Sequence, residues 1–244
     1  MPPPDPPPAS RAGRSDLGRT VRRLKRRARG ALWLGLGFAG ALAAGAAGAQ
    51  GAAASRETVR TTEKRLLELG FWAGPADGRW DEASRQALIA FQKLAGLKPT
   101  GRTDSATLSA LFAATPWTPR ETGAPHVEVD LLRQVLFLVD ADGRVHHILP
   151  VSSGSGKPFR AGGWVADAVT PTGRFTVFRK LRGWHTSPLG SMRDPSFLVG
   201  GIAIHGSDSV PARPASHGCI RIPLFASGRF SDLAPVDTVV LVYD

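Results

Sequence analysis

Residues 200–223 read GGIAIHGSDSVPARPASHGCIRIP. The apolar run Ile202-Ala203-Ile204 leads straight into His205, and a loop rich in Ser, Pro and Gly follows. The chain then continues as Ser216-His217-Gly218-Cys219 and the alternating Ile220-Arg221-Ile222. This pattern predicts a strand ending at a histidine, a loop, and a return strand that starts just after a cysteine. Cys219 is the only cysteine in the chain. A thiol and an imidazole brought together in this way form a nucleophile–base pair, since the base removes the proton that keeps a thiol unreactive at neutral pH. Gly218 permits a sharp turn, and the N–H groups of Gly218 and Cys219 are candidate donors to an oxyanion. The alternative is a buried, inert cysteine. The flanking Ser, His and Gly argue for a polar turn instead.

These residues resemble the L,D-transpeptidase family (the YkuD-type catalytic domain). Its signature is a His-Gly dipeptide, a loop, and Ser/Thr-His-Gly-Cys followed by an apolar residue and Arg or Asn. Here His205-Gly206 and Ser216-His217-Gly218-Cys219-Ile220-Arg221 stand at those positions, with a loop slightly shorter than in many members. Thr170-Pro171-Thr172-Gly173-Arg174-Phe175 resembles a further family segment, Thr-Pro-x-Gly-x-Phe. The resemblance covers residues 125–244 and implies a mostly β, sandwich-like catalytic domain. It implies Cys219 as nucleophile, His205 as general base and acid, the Gly218 N–H in the oxyanion site and His217 in support. Arg221, Ser216 and Gly206 are then substrate-binding. A backbone carbonyl among residues 206–209 is implied behind His205, with Asp208 as the side-chain alternative. The implied reaction is acyl transfer from a peptidoglycan stem peptide through a cysteine thioester, giving 3→3 cross-links, or L,D-carboxypeptidase activity when water is the acceptor. Neither a metal nor an organic cofactor is needed, and carbapenem-type β-lactams are expected to acylate the thiol. The competing classes are a cell-wall cysteine endopeptidase, a zinc amidase using His205, His217 and Cys219, and a non-catalytic cell-wall-binding protein.

Nearer the N-terminus, Val127, Val129 and Leu131 alternate with polar residues, residues 135–139 form a denser apolar strand, and Asp140-Ala141-Asp142-Gly143 reads as a hairpin turn. Residues 145–151 return and residues 238–243 form a last strand. Before this, residues 115–124 (TPWTPRETGA) read as a polar linker. Residues 57–114 read as helices. Leu66, Leu67 and Leu69 close the first; Ala83, Ala87, Leu88 and Phe91 space the second; Leu108, Leu111 and Phe112 mark the third. An echo at an offset of 23 residues aligns Gly78-Arg79 with Gly101-Arg102, Asp81 with Asp104 and Ala87-Leu88 with Ala110-Leu111. In each copy a glycine turn precedes an Asp able to cap the next helix. With the pair Phe91-Gln92, this stretch resembles a three-helix peptidoglycan-binding module. The expected class is therefore α+β multidomain, a small helical module followed by a mostly β catalytic domain.

Residues 1–30 hold eight Arg and one Lys against Asp5 and Asp16, so +7 of the formal +11 lies there. The remaining +4 is ordinary for a soluble domain and argues against nucleic-acid binding. With its proline-rich start, this stretch reads as a disordered basic leader on the cytoplasmic side. Residues 31–49 are uncharged and rich in Ala, Gly and Leu, ending in Ala47-Gly48-Ala49. They read as the apolar region of a secretory signal or as a membrane anchor. The expected location is the cell wall or periplasmic space, with membrane contact only through this segment. A single cysteine excludes an internal disulfide.

Overall fold

The repeated Gly…Asp pattern explains where two helices begin. In the computed structural model, which describes residues 41–161 and 163–244, α1 spans Ala41–Glu68, α2 Glu82–Leu94 and α3 Ser105–Ala113. Asp81 Oδ1 accepts from the Ser84 N–H at 2.9 Å, and Asp104 Oδ1 accepts from the Thr107 N–H at 2.8 Å. Each satisfies one of the amides left without a partner in a first helical turn. Gln92 is fully buried between these helices; its Oε1 accepts from Gly101 N–H and its Nε2 donates to Thr107 Oγ1. Of the apolar residues that mark the helices in sequence, Leu66, Leu69 and Leu111 are core, whereas Leu67 and Phe112 face solvent. The basic leader of residues 1–30 and residues 31–40 of the expected signal or anchor lie outside the described residues. Residues 41–49 begin α1. Among the described residues no helix is long and apolar enough to cross a membrane.

The strands follow in the order β1 (His126–Asp130), β2 (Val135–Val139), β3 (Val145–Pro150), β4 (Pro158–Ala161), β5 (Trp164–Asp167) and β6 (Gly173–Thr176). Next come β7 (Arg179–Lys180), β8 (Trp184–Ser187), β9 (Gly190–Val199), β10 (Ile202–Ser207) and β11 (Ile220–Pro223). Helix α4 (Ser227–Leu233) and β12 (Val239–Tyr243) complete the chain. One sheet has the order β3-β2-β1-β12-β6 and the other β11-β10-β9-β7, with β8 also paired to β9 and β4–β5 a separate hairpin. The β1–β12 and β10–β11 pairs are parallel; the rest are antiparallel. Val127, Val129, Leu136, Leu138 and Leu149 from the first sheet meet Leu198, Ile204, Ile220 and Ile222 from the second, with Phe230 of α4 closing this core. The result is a small helical unit followed by a mostly β sandwich.

Strand β2 explains how the two parts join. Its five residues are all buried, as a continuous apolar run requires when both faces are covered. Leu136 and Leu138 enter the core between the sheets, whereas Val135 and Phe137 enter a second core with Leu66, Phe71, Leu88, Phe91 and Leu111 of the helices. Ile148 of β3 joins that second core, and Phe71 makes a parallel bridge to it. The expected linker is pinned at both ends: Trp117 packs edge-on to Phe71, and the amides of Arg120 and Glu121 donate to the buried Glu128 carboxylate.

Candidate active site

Strand periodicity sets the site. In the parallel β10–β11 ladder Ile204 pairs with Ile220 and His205 with Arg221. Side chains on a strand alternate between faces. Ile204, Ile220 and Ile222 therefore point into the core, and His205, Arg221 and Cys219 share the opposite face. All three line one cleft of about 1140 Å³. Strand β9 opposes this segment with an irregular register between Ile204 and Gly206, where Asp194 has φ +48°. Such bulges redirect neighbouring side chains and recur beside functional sites. The β8–β9 hairpin lines the cleft with Trp184, Met192 and the turn at Pro188 and Leu189, and Phe159 of β4 and Val169 line it as well.

His205 is buried, and its Nδ1 lies 3.0 Å from the Gly206 carbonyl. A carbonyl only accepts, so Nδ1 carries the proton and Nε2 is the basic atom. The carbonyl expected behind His205 is thus that of Gly206, while Asp208 stays exposed at the cleft edge. Burial lowers the His205 pKa below the ordinary histidine value; the bond to Gly206 opposes this and the Arg221 charge adds to it. Cys219 is half-buried, and its thiol donates to the Gly201 carbonyl at 3.6 Å instead of to His205. Burial raises its pKa, against a hydrogen bond from the Ala203 N–H and the charge of Arg221. Both shifts favour uncharged groups, so the resting pair is thiol and neutral imidazole.

Three of the expected site residues make close contacts within the fold. The Gly218 N–H donates to Ser216 Oγ at 3.0 Å. Gly218 is required for its backbone: its φ is +131°, and a Cβ there would lie 2.8 Å from Ile202 Cδ1. Ser216 is buried, and its hydroxyl donates to the Cys219 carbonyl at 2.5 Å while accepting from Gly218. Its hydroxyl thus ties the two sides of the turn together. Gly206 turns away from the cleft, and a Cβ on it would lie 2.4 Å from Ser227 Cβ in α4. His217 is exposed at the cleft rim against the Phe159 ring, with centroids 4.8 Å apart.

Two further residues that the sequence does not mark as site residues have buried hydrogen bonds near the site, Thr170 on the Cys219 turn and Asp194 in the β9 bulge. Thr170 Oγ1 donates to the Gly218 carbonyl at 2.6 Å and accepts from the Gly154 N–H at 2.8 Å. Its only sequence signal is its place at the head of the Thr-Pro segment. Asp194 of β9 is buried, and its carboxylate accepts from the Gly183 N–H and from Ser227 Oγ and pairs with Arg193. Nothing local distinguishes it from a solvated turn Asp. Among the described residues no group of three or more His, Cys, Asp and Glu is arranged to hold a metal ion.

The L,D-transpeptidase catalytic domain family matches residues 124–242, and a peptidoglycan-binding domain family matches residues 55–111. The crystal structure of the L,D-transpeptidase from Xylanimonas cellulosilytica is 42% identical, with a TM-score of 0.72 over 76% of this chain and 93% of that one. An L,D-transpeptidase from Stackebrandtia nassauensis is 22% identical, with a TM-score of 0.46 over 77% of this chain and 91% of that one. The localization factor PodJL of Caulobacter vibrioides is 39% identical over 59 residues, 24% of this chain. The chain spans only 6% of that protein's length.

Proposed function

This chain belongs to the L,D-transpeptidase family, and we propose that Cys219 carries the acyl group of a peptidoglycan stem peptide as a thioester. The observation that carries this reading is the shared face of β10 and β11, which lines the cleft with Cys219, His205 and Arg221 while the Gly206 carbonyl leaves His205 Nε2 basic. Nε2 takes the thiol proton as Sγ attacks the carbonyl between the third stem residue and the terminal D-Ala. The S–C bond forms, the C–N bond breaks, and Nε2 returns the proton to the departing amine. The side-chain amine of a neighbouring stem then attacks the thioester. A new C–N bond forms, sulfur leaves and regains its proton, and the product is a 3→3 cross-link. Water in place of the amine gives tripeptide. Since the Gly218 N–H is bound to Ser216, the Cys219 N–H is the oxyanion donor in this scheme. Burial keeps His205 neutral and the Arg221 charge adds to this; the same charge favours the thiolate against burial and is offered to substrate carboxylates. Carbapenems acylate the same sulfur by opening of their β-lactam C–N bond. No cofactor takes part. In this reading the protein is exported through its N-terminal segment and acts on the wall.

The test is intact mass after incubation with a disaccharide tetrapeptide and, separately, with a carbapenem. The expected result is an adduct on Cys219 that is absent in Cys219→Ala, together with a cross-linked dimer. Tripeptide alone would demote the enzyme to a hydrolase. A folded wild type that neither compound labels would return the chain to the wall-binding class.

A further inference from the structure

We propose that Lys93, in the helical module, is a positioning residue for the Cys219 turn, so that the module is a working part of the catalytic site and not only a wall-binding appendage. The claim takes from the proposed function only that Cys219 is the nucleophile. Lys93 is on the last turn of α2, and its side chain is buried against the sandwich. Its Nζ donates to the carbonyl of Gln134 at 2.9 Å and to that of Val151 at 3.0 Å. Burying an ammonium is expensive unless it makes such bonds. Burial moves the group down to about 7. A lysine with no task at this contact would cost the fold more than an apolar residue of the same length.

Both carbonyls belong to the segment that frames the nucleophile. Gln134 has φ +56°, a left-handed backbone that a residue with a side chain adopts at a cost. Its amide oxygen accepts from the Ser153 N–H at 2.8 Å, and its amide nitrogen donates to Ser153 Oγ at 2.6 Å. The Val151 N–H donates to the same Gln134 carbonyl that Lys93 holds. Directly after Val151, Ser152 exchanges both backbone hydrogen bonds with Arg221, each 3.1 Å. The Ser153 carbonyl accepts from the N–H groups of Ala215 and Ser216, each at 2.9 Å. Ser153 thus holds the chain entering the Cys219 turn, and Ser152 holds the chain leaving it. Lys93 anchors the residue immediately before both. Withdrawing Nζ leaves the Val151 carbonyl without this donor at the root of the frame, and small misplacements of a nucleophile are costly to rate.

The experiment compares the full chain, Lys93→Met and Asp104→Ala. The Asp104 variant removes the α3 cap and weakens the module without touching Gln134 or Val151. Three quantities are read: the rate of Cys219 acylation by a carbapenem, the rate of its alkylation by iodoacetamide, and kcat against KM for D-Ala release. Lys93→Met is expected to slow acylation and lower kcat by tenfold or more, with KM within about twofold, in a protein that remains folded at the assay temperature. Asp104→Ala is expected to stay within twofold of wild type in every rate. Wild-type rates in Lys93→Met, or an equal loss in Asp104→Ala, would overturn the proposal. If Lys93→Met does not fold, Lys93→Gln is read in the same way. If no carbapenem or peptide acylates even the wild type, the proposed function has failed, and the alkylation rates still decide the role of Lys93.

Discussion

Arg221 acts on both members of the proposed catalytic pair in the same direction. Beside burial, the larger cause, its charge lowers the pKa of His205, and it lowers that of Cys219, which favours the thiolate against the effect of burial. Replacing it with methionine is expected to move both limbs of the pH profile of kcat/KM upward, since that ratio reports the free enzyme. Limbs that stay in place would mean that Arg221 serves substrate binding alone. His147 makes a separate prediction about stability. It stacks on Trp72 with centroids 4.2 Å apart, and burial, then the charges of His146 and Arg229, push it down to about 4. Between pH 4 and the ordinary histidine value the unfolded chain holds a proton that the folded protein lacks, so stability rises with pH across that window. In His147→Gln, urea midpoints at pH 4.5 and 7 should differ less than in wild type; an unchanged difference would assign the slope to other groups.

At the scale of elements, the decisive contact is α4 against β10. Ser227 Cβ occupies the space beside Gly206, and Ser227 Oγ is tied to Asp194 in the β9 bulge. Strand β10 therefore approaches α4 as only a glycine backbone can, and the Gly206 carbonyl is held where it orients His205. Gly206→Ala should cost about 1–3 kcal/mol by overpacking. It should also reduce acylation beyond what that instability explains, because the carbonyl moves with the strand. Denaturant melts and acylation rates measured together check this, and a variant as stable as wild type would show that α4 yields freely. The same contact bears on what the sequence reveals. The His-Gly dipeptide is plain at residues 205–206, yet the partner that requires the glycine is in a helix that sequence reading does not anticipate.

For the whole molecule, the core shared by the helices and the first sheet predicts one cooperative transition. Val135, Phe137 and Ile148 are covered by α1–α3. Exposing three such side chains would cost about 1.5–3 kcal/mol each, a large share of the ~5–15 kcal/mol that stabilises a typical domain. A fragment of residues 116–244 should therefore aggregate or melt far below the full chain, and calorimetry of the full chain should show a single peak. Two separated peaks would mean that the helical part and the sandwich fold independently.

Much of this was legible in the chain because it is local. The alternation Ile204-His205 and Ile220-Arg221-Ile222 sorts side chains into a core face and a cleft face whatever the strands pack against. The Asp caps at residues 81 and 104 need only the next three residues. The density of residues 135–139 announced an apolar strand, but neither its burial on both faces nor what covers the second one. Tertiary structure decided that cover, together with the inward use of Ser216, the burial of Asp194 and the reach of Lys93 to Gln134 and Val151. The reason is physical. A hydroxyl, carboxylate or ammonium bonds to whatever polar group the fold brings within reach, and for these residues the partner is distant in sequence or set by the path of the backbone, so residue type alone cannot choose it.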